Sequence, residues 1–260
     1  MQIVIDIGNS NIVYALAKEQ QIIATLRKSS KITAKNQIIE HFQNLLDVEQ
    51  LTKNDITNLV IASVVPNIDG FYKDASLEFF GFVAKFVADL LEPSPLTLKV
   101  DNVAEVGDDR IANSLAAINL YSSNLIIVDF GTATTFDVVD TNAAYIGGVI
   151  APGIDLSLQA LSNCAAKLPD INFQLPKKIV GRNTRDAMQS GIFYGYLGLI
   201  EKIITEIKSK ELNQNAKVIT TGGFGPLFAK HCKIIDQYDE FLTLQGILAI
   251  ANINAANKKI

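Results

Sequence analysis

Two short segments pair an aspartate with a turn of small polar residues. Asp6 leads into Ile7-Gly8-Asn9-Ser10-Asn11, and Asp129 into Phe130-Gly131-Thr132-Ala133-Thr134-Thr135. Gly8 follows Asp6 at the same spacing as Gly131 follows Asp129. Turns rich in Gly, Thr, Asn and Ser offer backbone N–H groups and hydroxyls to phosphate oxygens without a lysine. A carboxylate beside such a turn repels phosphate unless a cation lies between them. The pair therefore points to nucleotide phosphates bridged by a metal ion. For one Asp alone, bonding to its own turn backbone is the better explanation. The repetition favours function.

A third acidic segment, Val106-Gly107-Asp108-Asp109-Arg110, opens a helix with Ile111, Leu115 and Ile118 on its apolar side. Capping and the helix dipole explain one acid in a first turn, but explain Gly-Asp-Asp-Arg less well. Two common nucleotide motifs are excluded. No G-x-x-x-x-G-K-[ST] occurs. Gly223-Phe224-Gly225 is a fragment of a dinucleotide fingerprint with Phe228 where its third small residue belongs.

The elements that must carry these segments are legible from periodicity. Each aspartate ends a β-branched strand, and a second apolar run follows each turn, giving hairpins at Ile3–Leu16 and Leu125–Val139. A third strand fits Gln21–Arg27, and an amphipathic helix fits Lys35–Leu46. Leu59–Val65 reads as a buried strand stopped by Pro66, followed by a helix over Asp69–Phe80 and a strand over Phe82–Val87. Residues 92–95, Glu-Pro-Ser-Pro, form a breaker cluster. Ala143–Ile150 is a strand, and Asp155–Ala165 a helix. Thr184 suits the N-cap of a long helix over Arg185–Lys208. In it, Gly191, Gly195 and Gly198 read as a packing seam, within the chain or at a dimer interface. Lys217–Thr220 is a short strand, and Phe241–Ala256 closes the chain as a helix. The alternation makes the class α/β, with two related halves, 1–117 and 118–260, facing each other across a cleft and bridged by the Asp109–Ile118 helix.

Composition narrows the partners. Of 260 residues, 48% are hydrophobic, enough for a sizeable core, and 23 Lys+Arg against 27 Asp+Glu give a net charge of -4. With no basic block, nucleic acid and anionic membranes are excluded as main partners. Cys164 and Cys232 show no metal or redox spacing, and with His41 and His231 they read as ordinary side chains of a cytoplasmic protein. The first residues form a strand pattern with no basic n-region or cleavage site, so no signal peptide is expected. The uncharged runs at 111–128 and 241–257 are broken by Asn, Ser or Gln and do not read as membrane spans.

The ordered set Asp6–Asn11, Gly107–Asn113, Asp129–Thr135, Gly147–Gly153, Thr184 and Thr221-Gly222-Gly223 resembles the type III pantothenate kinases, of the acetate kinase/sugar kinase/actin superfamily. The resemblance extends from residue 3 to Leu242–Gly246, nearly the whole chain. It implies two ribonuclease H-like (actin-like ATPase) halves, each a mixed sheet with flanking helices. It implies ATP-dependent phosphorylation of pantothenate, the first step toward coenzyme A, by a homodimer using Mg²⁺ and a monovalent cation, K⁺ or NH₄⁺. On that basis Asp6, Ile7, Gly8, Asn9, Ser10, Asn11, Ile12, Val13 and Thr132 bind ATP, with Asp6 meeting Mg²⁺ through the phosphates. Asp129 binds the monovalent cation. Gly107, Asp108, Asp109, Arg110 and Thr184 contact pantothenate, and Asp109 is the general base.

The chemistry suits these roles. Phosphoryl transfer needs positioning, charge neutralisation and one acceptor for the hydroxyl proton. Arg110 beside Asp109 favours the ionised base and can steady an anionic group. Three positions depart from the family pattern: Ser10 replaces Thr, Val100 replaces an aromatic tyrosine, and Asp108 replaces Ala. The last puts a second carboxylate, and a rival base, beside Asp109. A kinase of another small alcohol or sugar, or a nucleotide-binding regulator, are the alternative readings.

Overall fold

The computed structural model describes residues 1–91, 96–212 and 214–257. The expected breaker cluster at 92–95 lies outside the described residues. The chain divides into two units, one formed by Met1–Leu120 with the segment from Phe241 onward, the other by Tyr121–Glu240.

In the first unit, β1 (Gln2–Ile7), β2 (Asn11–Lys18), β3 (Gln21–Ser29), β4 (Asn58–Ser63) and β5 (Lys85–Phe86) form one sheet in the order β3-β2-β1-β4-β5. The three N-terminal strands are antiparallel neighbours, whereas β1–β4 and β4–β5 are parallel. Helices α1 (Lys35–Val48) and α2 (Pro66–Phe80) cover one face, where Ile38, Phe42, Leu45 and Tyr72 pack with Ile3, Ile5 and Ile61. Inside that core, Tyr14 Oη lies 2.5 Å from Tyr72 Oη and 2.9 Å from His41 Nδ1, so each buried polar group has a partner. The two-residue strand β6 (Thr97–Leu98) precedes α3 (Asp108–Tyr121).

The second unit holds β7 (Leu125–Phe130), β8 (Ala133–Val139), β9 (Ala144–Pro152), α4 (Ile154–Cys164), α5 (Thr184–Lys210), β10 (Lys217–Gly222), α6 (Gly225–His231) and β11 (Gln237–Tyr238). Its strands follow the order β9-β8-β7-β10-β11, the first unit's order repeated element for element. The antiparallel and parallel pairings also repeat. Phe130, Phe136, Phe193 and Phe228 centre its core.

The last helix, α7 (Leu242–Asn257), returns to the first unit. A division at 117/118 assigns it to the second half, but its apolar residues decide otherwise. Leu244, Ile247, Leu248 and Ile250 bury against Val4, Val60, Ala112 and Leu115. Each such side chain removed from water is worth about 1.5–3 kcal/mol.

Three local expectations shift. The strand before Pro66 ends at Ser63, and the helix begins at Pro66 itself, because proline loses nothing at a first helical position. Of the strand expected at Phe82–Val87 only Lys85–Phe86 pairs, and Val87–Leu90 winds into a 3₁₀ helix. Gly191, Gly195 and Gly198 face open space within the described chain, with nothing within 4 Å of an added Cβ, so no packing seam forms there inside the chain.

Candidate active site

Both polar turns sit at the end of the strand expected. β1 pairs with β2 up to Ile7↔Ile12, and Gly8 N–H donates to Asn11 O at 3.0 Å to close the turn. A Cβ on Gly8 would crowd that same carbonyl at 3.2 Å. Ser30, just past β3, ties the turn from outside: its Oγ donates to Gly8 O at 2.5 Å and its N–H to Ser10 O at 3.2 Å. Asn9, Ser10 and Asn11 are exposed, while Asp6 is half-buried at the end of β1.

The second turn is one residue tighter. Asp6 stands opposite Val13, but Asp129 stands opposite Thr135. Gly131 N–H donates to Ala133 O at 3.0 Å. Two glycines grip this turn. Gly153, just before α4, donates its N–H to Thr132 O at 3.0 Å, and a Cβ there would fall 2.2 Å from that oxygen. Gly222 has φ +83°, and a Cβ on it would fall 2.6 Å from both Asp129 Oδ1 and Phe130 O. Asp129 is half-buried and Thr132 exposed.

Asp109 lies in the first turn of α3. Gly107 O accepts from the N–H groups of Arg110 and Ile111, both at 3.1 Å, which starts the helix. Arg110 N–H also donates to Asp109 Oδ1 at 2.9 Å, folding the carboxylate back over the helix end. A Cβ on Gly107 would fall 2.5 Å from that oxygen. Burial pushes the Asp109 carboxyl upward, against the Arg110 N–H, the Arg110 charge and its own N–H. Desolvation wins, leaving a carboxylate that accepts a proton more readily than a solvated one.

The neighbouring Asp108 is half-buried, and the backbone at Ala88 and Ser63 partly offsets the effect of burial on its carboxyl. Burial pushes its carboxyl up to about 6, assisted by the charges of Asp109 and Asp69. Ser63 Oγ in turn donates to Asp69 Oδ1 at 2.6 Å. Sequence reasoning missed Ser63 and Asp69. Their only signal was a serine ending a strand and an acid in the first turn of the next helix.

Thr184 is the first residue of α5 and exposed, not its cap. Asn183 caps the helix instead, its Oδ1 accepting from Asp186 N–H at 2.9 Å while its Nδ2 donates to Asp186 Oδ2 at 2.9 Å. That reciprocal pair needs an amide, which a threonine lacks. Among the described residues no group of three or more His, Cys, Asp or Glu side chains could hold a metal ion. A divalent ion held by one or two carboxylates together with nucleotide phosphates, the arrangement Mg²⁺ favours, would need no such group. No helix of the described residues is long and apolar enough to cross a membrane.

Two units of one repeated strand order, each with a polar turn after its first strand, define an actin-like ATPase/sugar kinase fold. The activator of 2-hydroxyisocaproyl-CoA dehydratase from Clostridium difficile, solved with bound ADPNP, shares it at TM-score 0.59 and 14% identity, covering 100% of this chain and 97% of that one. A Campylobacter jejuni protein described as a conserved Baf family transcriptional activator shares it at TM-score 0.62 and 23% identity, covering 98% and 99%. The sequence is more specific. The family model for type III pantothenate kinase matches residues 2–206. The type III pantothenate kinase of Citrifermentans bemidjiense is 40% identical over 258 residues, 98% of this chain and 100% of the relative. The chain belongs to the type III pantothenate kinase family.

Proposed function

We propose that this enzyme phosphorylates the primary hydroxyl of pantothenate from ATP, with Asp109 as the acceptor of the hydroxyl proton. The observation that carries this reading is the Asp109 carboxylate, half-buried, raised in pKa and held by Arg110 N–H at the start of α3. Arg110 and Gly107 line the pantothenate position beside it, with Thr184 as a further substrate contact. The turn from Asp6 to Val13 and Thr132 of the second turn hold the ATP phosphates through N–H groups and hydroxyls. Mg²⁺, met by Asp6 through the phosphates, would neutralise charge that builds up during transfer. Asp129, whose Oδ1 shares the Gly222 corner with the carbonyl of Phe130, supplies hard oxygen donors to a monovalent cation, K⁺ or NH₄⁺.

The enzyme works as a cytoplasmic homodimer in this reading. Support comes from the exposed α5 face of Gly191, Tyr194, Gly195 and Gly198, and from two cysteines that form no disulfide.

The test is ADP release with pantothenate, ATP and Mg²⁺, with and without K⁺, alongside light scattering for mass. Turnover that depends on K⁺ and falls by about 10²–10⁴ in Asp109→Ala is expected. No turnover, or a strong kcat/KM preference for a sugar in a substrate panel, overturns the assignment.

A further inference from the structure

In both units the residue just past the third strand meets the polar turn in the same register. Asn11 stands opposite Ser29, the last residue of β3, which puts Ser30 opposite Ser10. Ala133 stands opposite Pro152, the last residue of β9, which puts Gly153 opposite Thr132. Ser30 and Gly153 each donate the backbone N–H to the carbonyl of that partner, at 3.2 Å and 3.0 Å. Each also lies against the carbonyl of the turn's glycine. In the second unit a Cβ on Gly153 would fall 2.6 Å from Gly131 O, so no side chain fits there. The first unit has room for one, and Ser30 Oγ donates to Gly8 O at 2.5 Å. That bond fixes a peptide plane. The C=O and N–H of a trans peptide point to opposite sides, so a Gly8 carbonyl held on Ser30 aims the Asn9 N–H away from Ser30. Gly8 has no side chain to resist rotation of this peptide, and the hydroxyl supplies the restraint. With the plane reversed, the turn would offer an oxygen where a phosphate needs a donor. Ser30 is itself held, since its carbonyl accepts from the N–H of Ile32 at 2.8 Å, and Ile32 is buried in the core.

We propose that Ser30 is a positioning residue for the phosphoryl transfer, its hydroxyl holding the Gly8–Asn9 peptide with the N–H toward the ATP phosphates and so setting how tightly the nucleotide binds. This rests on the reading of the Asp6–Val13 turn as the phosphate holder. The hydroxyl acts through the turn and not on the nucleotide, because its proton is given to Gly8 O.

The test compares Ser30→Ala, Ser30→Thr and Ser29→Ala by steady-state kinetics, thermal unfolding, and amide NMR with and without Mg²⁺ and ADP. Ser30→Ala is expected to raise KM for ATP about tenfold, the scale of one hydrogen bond, and to leave KM for pantothenate within about twofold. Its melting temperature should stay within about 4 °C of the wild type. Ser30→Thr, which keeps the hydroxyl, restores KM for ATP to within about twofold. Ser29→Ala changes neither KM, since the Ser29 hydroxyl meets Lys31 N–H instead. Ser30→Cys, of similar size but a weak donor, falls between alanine and serine and carries the comparison if Ser30→Ala does not fold. In the wild type, nucleotide shifts the Asn9 amide, and in Ser30→Ala that shift shrinks at saturation. An unchanged KM for ATP in folded Ser30→Ala, an equal rise in both KM values, or a Ser30→Thr no better than Ser30→Ala would each overturn the proposal. A wild-type Asn9 amide that stays unmoved while other amides respond to nucleotide strikes the phosphate reading of the turn, and the proposal with it.

Discussion

Gly107 and Asp109 occupy each other's space: a methyl group on the glycine would stand 2.5 Å from the aspartate's Oδ1. The proposed base has its position because the residue two before it has no side chain. Gly107→Ala therefore displaces a flexible carboxylate and leaves the backbone alone. Turnover should fall about 10²-fold, the scale of a misplacement near 1 Å, with little change in melting temperature. Kinetics and thermal unfolding on one preparation test it. Gly70→Ala, in the interior of α2 with nothing near its added Cβ, is the control and should stabilise by about 0.5–1 kcal/mol.

Where α3 crosses α7, the helices touch backbone to backbone. A Cβ on Gly246 would fall 1.9 Å from Ala112 O, and Thr243 Oγ1 donates to the buried Asn113 Oδ1 at 2.7 Å beside it. Gly246→Ala must push apart two packed helices, at a cost of about 2–3 kcal/mol by urea unfolding. A loss below about 0.5 kcal/mol would mean that the crossing is looser than described.

Gly222→Ala should destabilise the second unit by about 2–3 kcal/mol, since it adds left-handed strain to contact with Phe130 O and Asp129 Oδ1. Gly223, which has open space around it, should accept alanine at little cost. Equal effects at the two positions would contradict the geometry.

Acid should weaken the first unit through His41. Its pKa is lowered by burial and by the Lys28 charge, against the pull of Glu40. Below the ordinary histidine range the unfolded chain binds the proton more readily, so stability is full above about pH 6.5 and declines as pH falls through that value. Protonation also removes the lone pair that faces Tyr14 Oη when Nδ1 is the acceptor. Urea stabilities at pH 5.5 and 7.5 should show a larger acid loss in the wild type than in His41→Gln. Equal losses would refute this.

Both hairpins were legible because their β-branched runs and small-residue turns are local signals, and so were α1, α4 and the long α5. The two-residue strand β11 was not, because two residues carry no period, and β5 was read at Phe82–Val87, longer than the Lys85–Phe86 that pairs. Helix α6 offered only seven residues and a proline start. Asp109 could be chosen from sequence, but what holds its carboxylate could not: the donor is the backbone N–H of Arg110, and backbone N–H groups leave no trace in side-chain identity. The same holds for α7, whose apolar pattern predicts burial without saying against which sheet.

That return of α7 sets an order on the birth of the fold. The second unit is one continuous stretch, whereas the first is split around it. During synthesis β1 and β4 emerge early, yet Val4, Val60 and Ala62 stay without the cover of Leu244, Ile247 and Leu248 until almost the whole chain has been made. The interrupted unit thus depends on the most distant contacts in the sequence and finishes last, while the inserted one can close on its own.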